Sequence, residues 1–315
     1  NGAFLTRHDD AVEGKNRRFA YVLSLTHGWQ PEWGGLLIFP DDGASAVEDA
    51  RYNKIVRKYL ARNAGYHNNG LTALNTAFLQ SGVFIWIPKN VKLEQPLQIT
   101  FVANAGNGAS FPRLLVVAEE NSSATMVENF SSASDESYFT NAVAEIVLKD
   151  GAQLEHYRLQ RESNNAYHVS TTSAELGRSS RYDTTSINLG AQLSRHDISV
   201  VMDHEGAETA VDGLYMVGSD QHSDTHSVID HKQPHCTSRQ LYKGILDGNA
   251  RAVFNGKIFV REGVLDFDAL DRALTQEEKD ELKERAQQFL ETNRAELREA
   301  QERLWATDCH SLLIV

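Results

Sequence analysis

The sequence predicts a mainly β protein in which many short strands repeat along the chain, followed by a helical tail. Apolar and β-branched runs recur about every dozen residues between Val83 and Val260, namely VFIWI, LQITFV, RLLVVA, AVAEIVL, ISVVM and AVFNGKIFV. Between the runs lie NAGNG, KDGA, NLGA, HEGA and LDGNA, whose Gly, Asn and Asp residues supply the positive φ angles of turns. After Asp266 the composition changes to Glu, Lys, Arg, Gln, Ala and Leu, which is typical of helix.

Many short strands without helices between them are compatible with a solenoid, a barrel or a sandwich. The approximate repeat favours a β-helix, because the coils of a β-helix stack and bury one continuous apolar column. The pattern by itself leaves the sandwich open.

The composition is that of a soluble globular protein. Hydrophobic residues make up 41% of the chain and charged residues 23%, and no apolar run approaches the roughly 18 residues of a membrane span. The formal net charge of -12 argues against nucleic-acid binding, since a groove that binds phosphates needs positive charge. Cys236 and Cys309 are far apart and fit a reducing compartment, and from the first residues, which are not a basic and apolar stretch, we expect no secretion leader. We therefore expect a cytoplasmic protein with neither a membrane nor a nucleic-acid partner.

Residues 1–45 form a separate segment in which His8 and Asp10 make an H-x-D pair. Side chains two residues apart on extended backbone share a face and can ligate one metal ion. Together with RRFAYVLSLTHGWQPEWGGLLIF, the pair resembles the front half of an Fe(II)- and 2-oxoglutarate-dependent dioxygenase of the prolyl-hydroxylase type. Such enzymes use two histidines and one carboxylate. The resemblance implies a second histidine and a basic anchor tens of residues later, and we find neither, so His8 and Asp10 would bind metal only if another segment completed the site.

The central segment begins with a helical lead-in over residues 46–82 and continues with the repeated strands over residues 83–263. Three stretches of it closely resemble SufD, within the SufB/SufD family of iron-sulfur cluster assembly scaffolds: ALNTAFLQSGVFIWIPKNVKLEQPLQITF, SRHDISVVMDHEGAETAVDGLYMVGSDQ and HSDTHSVIDHKQPHCTSRQLYKGILDGNARAVFNGKIFV. The resemblance implies a right-handed parallel β-helix. It also implies that SufB and the ATPase SufC are partners and that an iron-sulfur cluster is handled transiently.

The resemblance to SufD ends at Val260 to Gly263, before the family's C-S-H-G-A-T type segment. In the family, the histidine of that segment is implicated in cluster formation with SufB. The resemblance therefore implies a truncated core over residues 83–263, with part of the interface to SufB and SufC missing.

A cluster of metal-ligand side chains lies in this segment: His222, His226, His231, His235 and Cys236. Imidazole and thiolate suit iron or zinc, so a metal or sulfur site at His231, His235 and Cys236 is one hypothesis. The alternative is structural, because a corner of the solenoid breaks the face relation between such residues. In that alternative they lie on the solvated outer face or hydrogen-bond between stacked coils.

Three further groups carry weaker signals. Glu155, His156 and Tyr157 lie in a predicted strand, where a single histidine is more often a structural group than a base. Residues 195–197 (Arg-His-Asp) could suggest an acid-base set, but neighbours in a strand point to opposite faces. Residues 255–256 (Asn-Gly) read as a turn.

Residues 264–315 form the predicted helical tail. Thr275 and Glu278 have the spacing of a capping box at a helix start. An apolar stripe follows, which we expect to be core or a docking face, at Leu282, Ala286, Phe289, Leu290, Leu297 and Leu304. The tail resembles the entry to a polyphosphate kinase of the second family, but no G-x-x-x-x-G-K-[ST] loop follows SLLIV. We therefore expect no kinase activity.

The function that the sequence predicts is a non-catalytic scaffold subunit of SUF-type iron-sulfur cluster assembly, with no firmly bound cofactor. One alternative is an Fe(II)/2-oxoglutarate dioxygenase, which would use Fe(II) and 2-oxoglutarate at the N-terminal segment. The other is a composite chain without native activity.

Overall fold

The computed structural model describes residues 19–24, 50–65, 67, 69–79, 82–103, 108–261, 264, 275–276, 278, 280–281, 283–285, 287–288 and 291. Two helices are bounded within these residues, α1 (Ala50–Tyr59) and α2 (Gly70–Ala77). The strands are β1 (Phe19–Ser24), β2 (Val83–Ile87), β3 (Leu97–Ala103), β4 (Ala109–Ser110), β5 (Arg113–Ala118), β6 (Ser123–Ser132), β7 (Phe139–Leu148), β8 (Gln153–Arg161), β9 (Tyr167–Leu176), β10 (Arg181–Asn188), β11 (Leu193–Met202), β12 (Glu208–Val217), β13 (His222–His231), β14 (Thr237–Leu246) and β15 (Arg251–Val260).

The strands form two sheets that the chain visits alternately. One sheet has the order β1-β3-β6-β8-β10-β12-β14 and the other the order β15-β13-β11-β9-β7-β5-β2, with β4 beside β7. The pairs are parallel except that β1 runs antiparallel to β3. Ser123 pairs with Gln153 and Arg181 with Glu208, so successive coils are offset by 30 and 27 residues. This architecture is a parallel β-helix, which confirms the predicted solenoid and excludes the sandwich.

One corner of the solenoid is a column of residues with positive φ, which sharply redirect the chain. The column includes Asn121, Gly151, Ser179, Gly206 and His235, with φ between 51° and 71°. Each corner is tied to the next coil, as when the Gly151 N–H donates to the Arg178 carbonyl oxygen at 2.8 Å. The predicted role of KDGA and HEGA as turns is confirmed.

The predicted turn at Asn255 and Gly256 is wrong, because both residues lie inside β15. Gly256 leaves space for a side chain of the opposite sheet, since a Cβ built on it would lie 2.5 Å from Gln240 Oε1 and Gln240 would have to move. The glycine makes room for a neighbouring side chain and does not turn the chain.

The interior of the solenoid is apolar along one half. Leu148, Leu176 and Met202 occupy the same register position at the ends of β7, β9 and β11 and are fully buried. Leu154 and Tyr182 belong to the same buried cluster, on the adjoining starts of β8 and β10. This stacked apolar column is the core that the repeat predicts.

Helix α1 covers part of the outer face of the sheet that contains β2, β5 and β7. The apolar residues Ile55, Val56, Tyr59 and Leu60 recur at the spacing of one helix face and pack against Phe84, Leu115, Val117 and Val147. Helix α2 follows with Asn69 as its N-cap, whose side chain accepts hydrogen bonds from the N–H groups of Leu71 and Thr72.

A buried carboxylate fixes the segment between these two helices. Glu145 of β7 accepts hydrogen bonds from four successive backbone N–H groups, those of residues 61–64, at 2.8–3.1 Å. Arg113 of β5 donates to the same carboxylate through Nε at 3.0 Å and through an Nη at 2.7 Å. The other Nη of Arg113 reaches Asn75 of α2 at 3.0 Å. The helical lead-in is therefore held on the solenoid by one ion pair inside its interface.

The tail begins as predicted, since the described positions between 276 and 291 are helical. The Thr275 N–H and hydroxyl both donate to Glu278 Oε2 at 2.8 Å, and the Glu278 N–H donates to Thr275 Oγ1 at 3.3 Å. These bonds confirm the capping box. The predicted apolar stripe of the tail lies outside the described residues, as do His8, Asp10 and Cys309. In the part of the chain that the structure describes, no helix is long and apolar enough to cross a membrane.

Candidate functional site

The other half of the solenoid interior is polar. Burial alternates along β8, so that Leu154, His156, Arg158 and Gln160 point inward while their neighbours point outward. On the facing strand β9, the inward residues near its start are polar as well, namely His168, Ser170 and Thr172. The result is a network of ionisable side chains that is sealed between the two sheets.

A first group joins three neighbouring strands of one sheet. His156 Nε2 lies 3.2 Å from Glu128 Oε2 on β6, and His156 Nδ1 lies 3.0 Å from the Tyr182 hydroxyl on β10. All three side chains are buried. Burial raises the pKa of Tyr182, so its hydroxyl stays protonated and acts as a neutral hydrogen-bonding partner.

Arg158 is the centre of a second group. Its guanidinium donates to Asn188 Oδ1 at 3.2 Å and to Ser170 Oγ at 2.8 Å, and it contacts His168 Nε2. Because a guanidinium only donates, His168 Nε2 must accept, and the ring proton therefore resides on Nδ1, next to Glu162. Burial lowers the pKa of His168, and the nearby Arg158 charge lowers it further, against the opposing effect of Glu162.

Glu162 completes this second group. It accepts hydrogen bonds from Thr140 Oγ1 at 2.8 Å and from Gln160 Nε2 at 3.2 Å. Burial alone would raise the pKa of Glu162, but its interactions with His168 and the hydrogen bonds from Thr140 and Gln160 outweigh burial and lower the pKa. The group therefore holds a buried guanidinium beside a buried carboxylate.

His196 of β11 extends the network by one coil. Its Nε2 lies 2.9 Å from Thr172 Oγ1 and its Nδ1 lies 3.2 Å from Ser186 Oγ. Burial, followed by the charge of Arg158, lowers the pKa of His196 well below the ordinary value, so the ring is neutral. Arg195 and Asp197 lie on the outer face and pair with each other at 3.0 Å. The expectation that residues 195–197 cannot act together is confirmed.

This interior network ties neighbouring coils, and the two sheets, to each other. Its ionisable members are almost wholly buried and hydrogen-bonded to each other. Within the described ranges, no group of three or more His, Cys, Asp or Glu side chains is placed to hold a metal ion.

The predicted histidine cluster is divided between the two sides of the solenoid wall. His222 and His226 lie on the outer face of β13, in agreement with the structural alternative. His226 Nε2 is 2.9 Å from Asp224 Oδ1, and Asp224 Oδ2 is 2.7 Å from an Nη of Arg195 on β11. The contact between Arg195 and Asp224 joins two stacked coils, whereas the contact between His226 and Asp224 lies within β13.

His231, His235 and Cys236 occupy three different environments. His231 ends β13 on the inside, where its Nε2 lies 2.8 Å from Ser238 Oγ and burial lowers its pKa. His235 is exposed at the corner with φ 62°. The half-buried Cys236 thiol donates to the His204 carbonyl oxygen at 3.3 Å. A metal or sulfur site at these three residues stays a prediction.

The sequence analysis missed the interior network around Arg158, Glu128 and Glu162. A signal was present in QLEHYRLQR, where polar residues occupy both alternating faces. A strand that is polar on both faces cannot be assigned an inner face from periodicity alone. Only the register with the neighbouring coils identifies which residues face inward.

Three family profiles match the chain. The SufBD core domain of SUF system FeS cluster assembly matches residues 101–270, and the SufBD protein N-terminal region matches residues 45–99. The 2OG-Fe(II) oxygenase superfamily matches residues 1–59.

Curated relatives are similar over the same central part. A SufBD family iron-sulfur cluster assembly protein of Synechocystis sp. is 37% identical over 217 residues, which are 65% of this chain and 48% of the relative. Proteins of the same description from Staphylococcus epidermidis and Staphylococcus aureus are 29% and 28% identical over 221 residues, 70% of this chain and 47% of each relative. The chain thus spans about half the length of the curated relatives it matches.

Proposed function

This chain belongs to the SufBD family of iron-sulfur cluster assembly proteins, and we propose on that premise that it is a non-catalytic scaffold of the SufD type. Its place is a cytoplasmic SUF-type complex with SufB and SufC, in which the iron-sulfur cluster is cargo and not a resident cofactor. The observation that carries the proposal is the match of the SufBD core domain to residues 101–270, which form most of the β-helix.

The chemistry of the interior supports a scaffold over an enzyme. The ionisable groups inside the solenoid are paired and sealed from solvent, so a substrate would have to open the wall to reach them. The surfaces that remain for function are the outer faces and the end of the solenoid.

The last two described strands support association with a partner. Large apolar side chains are 40–53% exposed on β14 and β15, namely Leu241, Ile245, Val253, Ile258, Phe259 and Val260. A concentration of exposed apolar side chains is typical of protein interaction sites. We assign this end of the solenoid to the partner interface.

Co-purification tests the proposal. The full chain is co-expressed with SufB and SufC, and iron and acid-labile sulfide are quantified in the recovered complex. We expect a stable complex that is lost in the double variant Ile245→Glu/Ile258→Glu. It should be retained in the control Tyr157→Glu/Tyr167→Glu, which places the same two charges on the outer faces of β8 and β9, at residues that are each 39% exposed. Recovery of neither partner from the wild-type chain would refute the scaffold role.

Cys236 is the residue to test for direct contact with the cargo. If His231, His235 and Cys236 handle iron or sulfide within the complex, Cys236→Ser should lower the iron and sulfide content without loss of SufB or SufC. Unchanged iron and sulfide would remove these residues from the proposed role.

A second candidate function rests on the oxygenase match to residues 1–59. In that candidate, His8 and Asp10 would supply two ligands for Fe(II), and 2-oxoglutarate would be the cosubstrate. Succinate formation from 2-oxoglutarate by the purified chain with Fe(II), abolished in His8→Ala, would support it. Absence of succinate, of metal and of partners would instead favour a composite chain without native activity.

A further inference from the structure

The polar half of the solenoid interior continues past His196 as a set of hydroxyl groups. Ser194, Ser223 and Thr225 are at most 1% exposed. Among the described residues, none of their side-chain oxygens has a hydrogen-bond partner. Buried hydroxyls without partners are rare in folded proteins, because each has lost its hydrogen bonds to bulk water.

These three hydroxyls are neighbours. Ser194 of β11 is the register partner of Ser223 of β13, and Thr225 is the register partner of His196. All three side chains point inward, on the alternation that both strands follow. They therefore line one short stretch of the interior, next to the neutral His196 ring.

The side chains at this stretch become smaller along the column. His168 of β9 is the register partner of Ser194, which is followed by Ser223, so an imidazole is succeeded by two hydroxymethyl groups. On this wall of the interior, hydroxyl groups that require hydrogen-bond partners therefore replace the imidazole in the next two coils.

We propose that Ser194, Ser223 and Thr225 bind a short file of ordered water molecules inside the β-helix. Water fits because all three groups are neutral and each can both donate and accept. Arg158 and Glu162, the buried charges of the adjoining network, already have partners there, so neither is left unpaired to attract an ion. The file continues the hydrogen-bonded column from His196 toward Ser227, which accepts a hydrogen bond from Gln240 near the last coils.

The test is the sign of a thermal shift in the full chain. Thr225→Val keeps the side-chain shape and removes the hydroxyl. If that hydroxyl holds water, the variant loses a hydrogen bond, and its Tm should fall by roughly 2–4 °C. If the hydroxyl has no ligand, the substitution removes an unsatisfied polar group and the Tm should rise. A rise or no change in Tm overturns the proposal.

Two controls make the result specific. Thr185→Val makes the same substitution on the outer face of β10 and measures the change in Tm caused by replacing Thr with Val in a strand. This change is subtracted from the Tm shift of Thr225→Val. Ser223→Ala repeats the test two residues away on the same strand, β13, and should also lower the Tm. The wild-type chain is further measured over a range of sodium chloride concentrations. A Tm that rises with chloride in the wild type but not in Thr225→Val would identify a bound anion and overturn the assignment of water.

Discussion

Glu145 offers the sharpest test of how the helical lead-in is attached to the solenoid. Its carboxylate is fully buried and accepts four backbone N–H groups of residues 61–64 together with the Arg113 guanidinium. The variant is Glu145→Leu, in which an apolar side chain of similar size replaces the carboxylate. It leaves the Arg113 charge buried without its ion-pair partner and the four N–H groups without their acceptor.

The expected magnitude follows from these contacts. Removing one partner of a buried ion pair costs about 3–5 kcal/mol, because the remaining charge stays desolvated. Each of the four N–H groups that cannot turn to solvent adds about 1–3 kcal/mol. If the lead-in detaches, its N–H groups reach water and the full sum of these costs is not incurred. We therefore expect detachment of residues 50–79 and a loss of about 4–5 kcal/mol in the free energy of unfolding.

Urea denaturation followed by circular dichroism measures the stability, and limited proteolysis measures release of the lead-in. Glu155→Leu is the matched control, since Glu155 lies exposed on the outer face of β8 and should cost little. The double variant Arg113→Leu/Glu145→Leu separates the two contributions. It removes the unpaired charge but not the loss of the N–H acceptor, so it should recover only part of the stability. Full recovery would show that the backbone hydrogen bonds contribute nothing and would refute the reasoning.

Three further predictions follow from buried groups and from the corners. The pKa of His196 is lowered in the folded state, so the unfolded chain binds the proton first and stability should fall as the pH drops below about 6.5, by up to about 1.4 kcal/mol per pH unit. Urea midpoints between pH 7.5 and 5.5 measure this slope, and His196→Gln should reduce it, with the remainder due to His168 and His231, whose pKa values are also lowered; an unchanged slope would contradict the assignment. Gly213→Ala should destabilise by about 1–3 kcal/mol, because its Cβ would lie 2.1 Å from Cε1 of the buried Tyr242, whereas Gly218→Ala meets nothing closer than 3.9 Å and should cost less by the same denaturation assay. His235→Gly should raise the thermal midpoint by relieving a positive φ, with a gain of up to about 1 kcal/mol; a loss would mean that the His235 side chain contributes contacts.

The strands and corners were predictable because their causes are local. Alternating or continuous apolar runs place β2, β5 and β15, and Gly151 and Gly206 turn the chain where positive φ is needed. The Thr275 capping box also acts within one helical turn. Each of these features is decided by residues within a few positions of one another.

The interior network and the Glu145 contact were not predictable, because their partners are distant in sequence. His156 meets Glu128 28 residues away, and Glu145 meets residues 61–64 at separations of 81–84 residues. Such pairs depend on the register between coils, and a shift of one residue would reverse every inner face. A contact between residues distant in sequence also explains the wrong prediction of a turn at Gly256, because the side chain that occupies the space beside this glycine belongs to β14.

The reversed direction of β1 makes the two edges of its sheet different. In a parallel β-helix each further coil adds a strand that runs parallel to its neighbour. Strand β1 instead runs antiparallel to β3, with Phe19 opposite Ala103. The parallel pattern of the coils therefore ends at that edge of the sheet, while β14 at the opposite edge keeps the common direction. A further coil in the same parallel pattern is expected to add beyond β14 and not beyond β1.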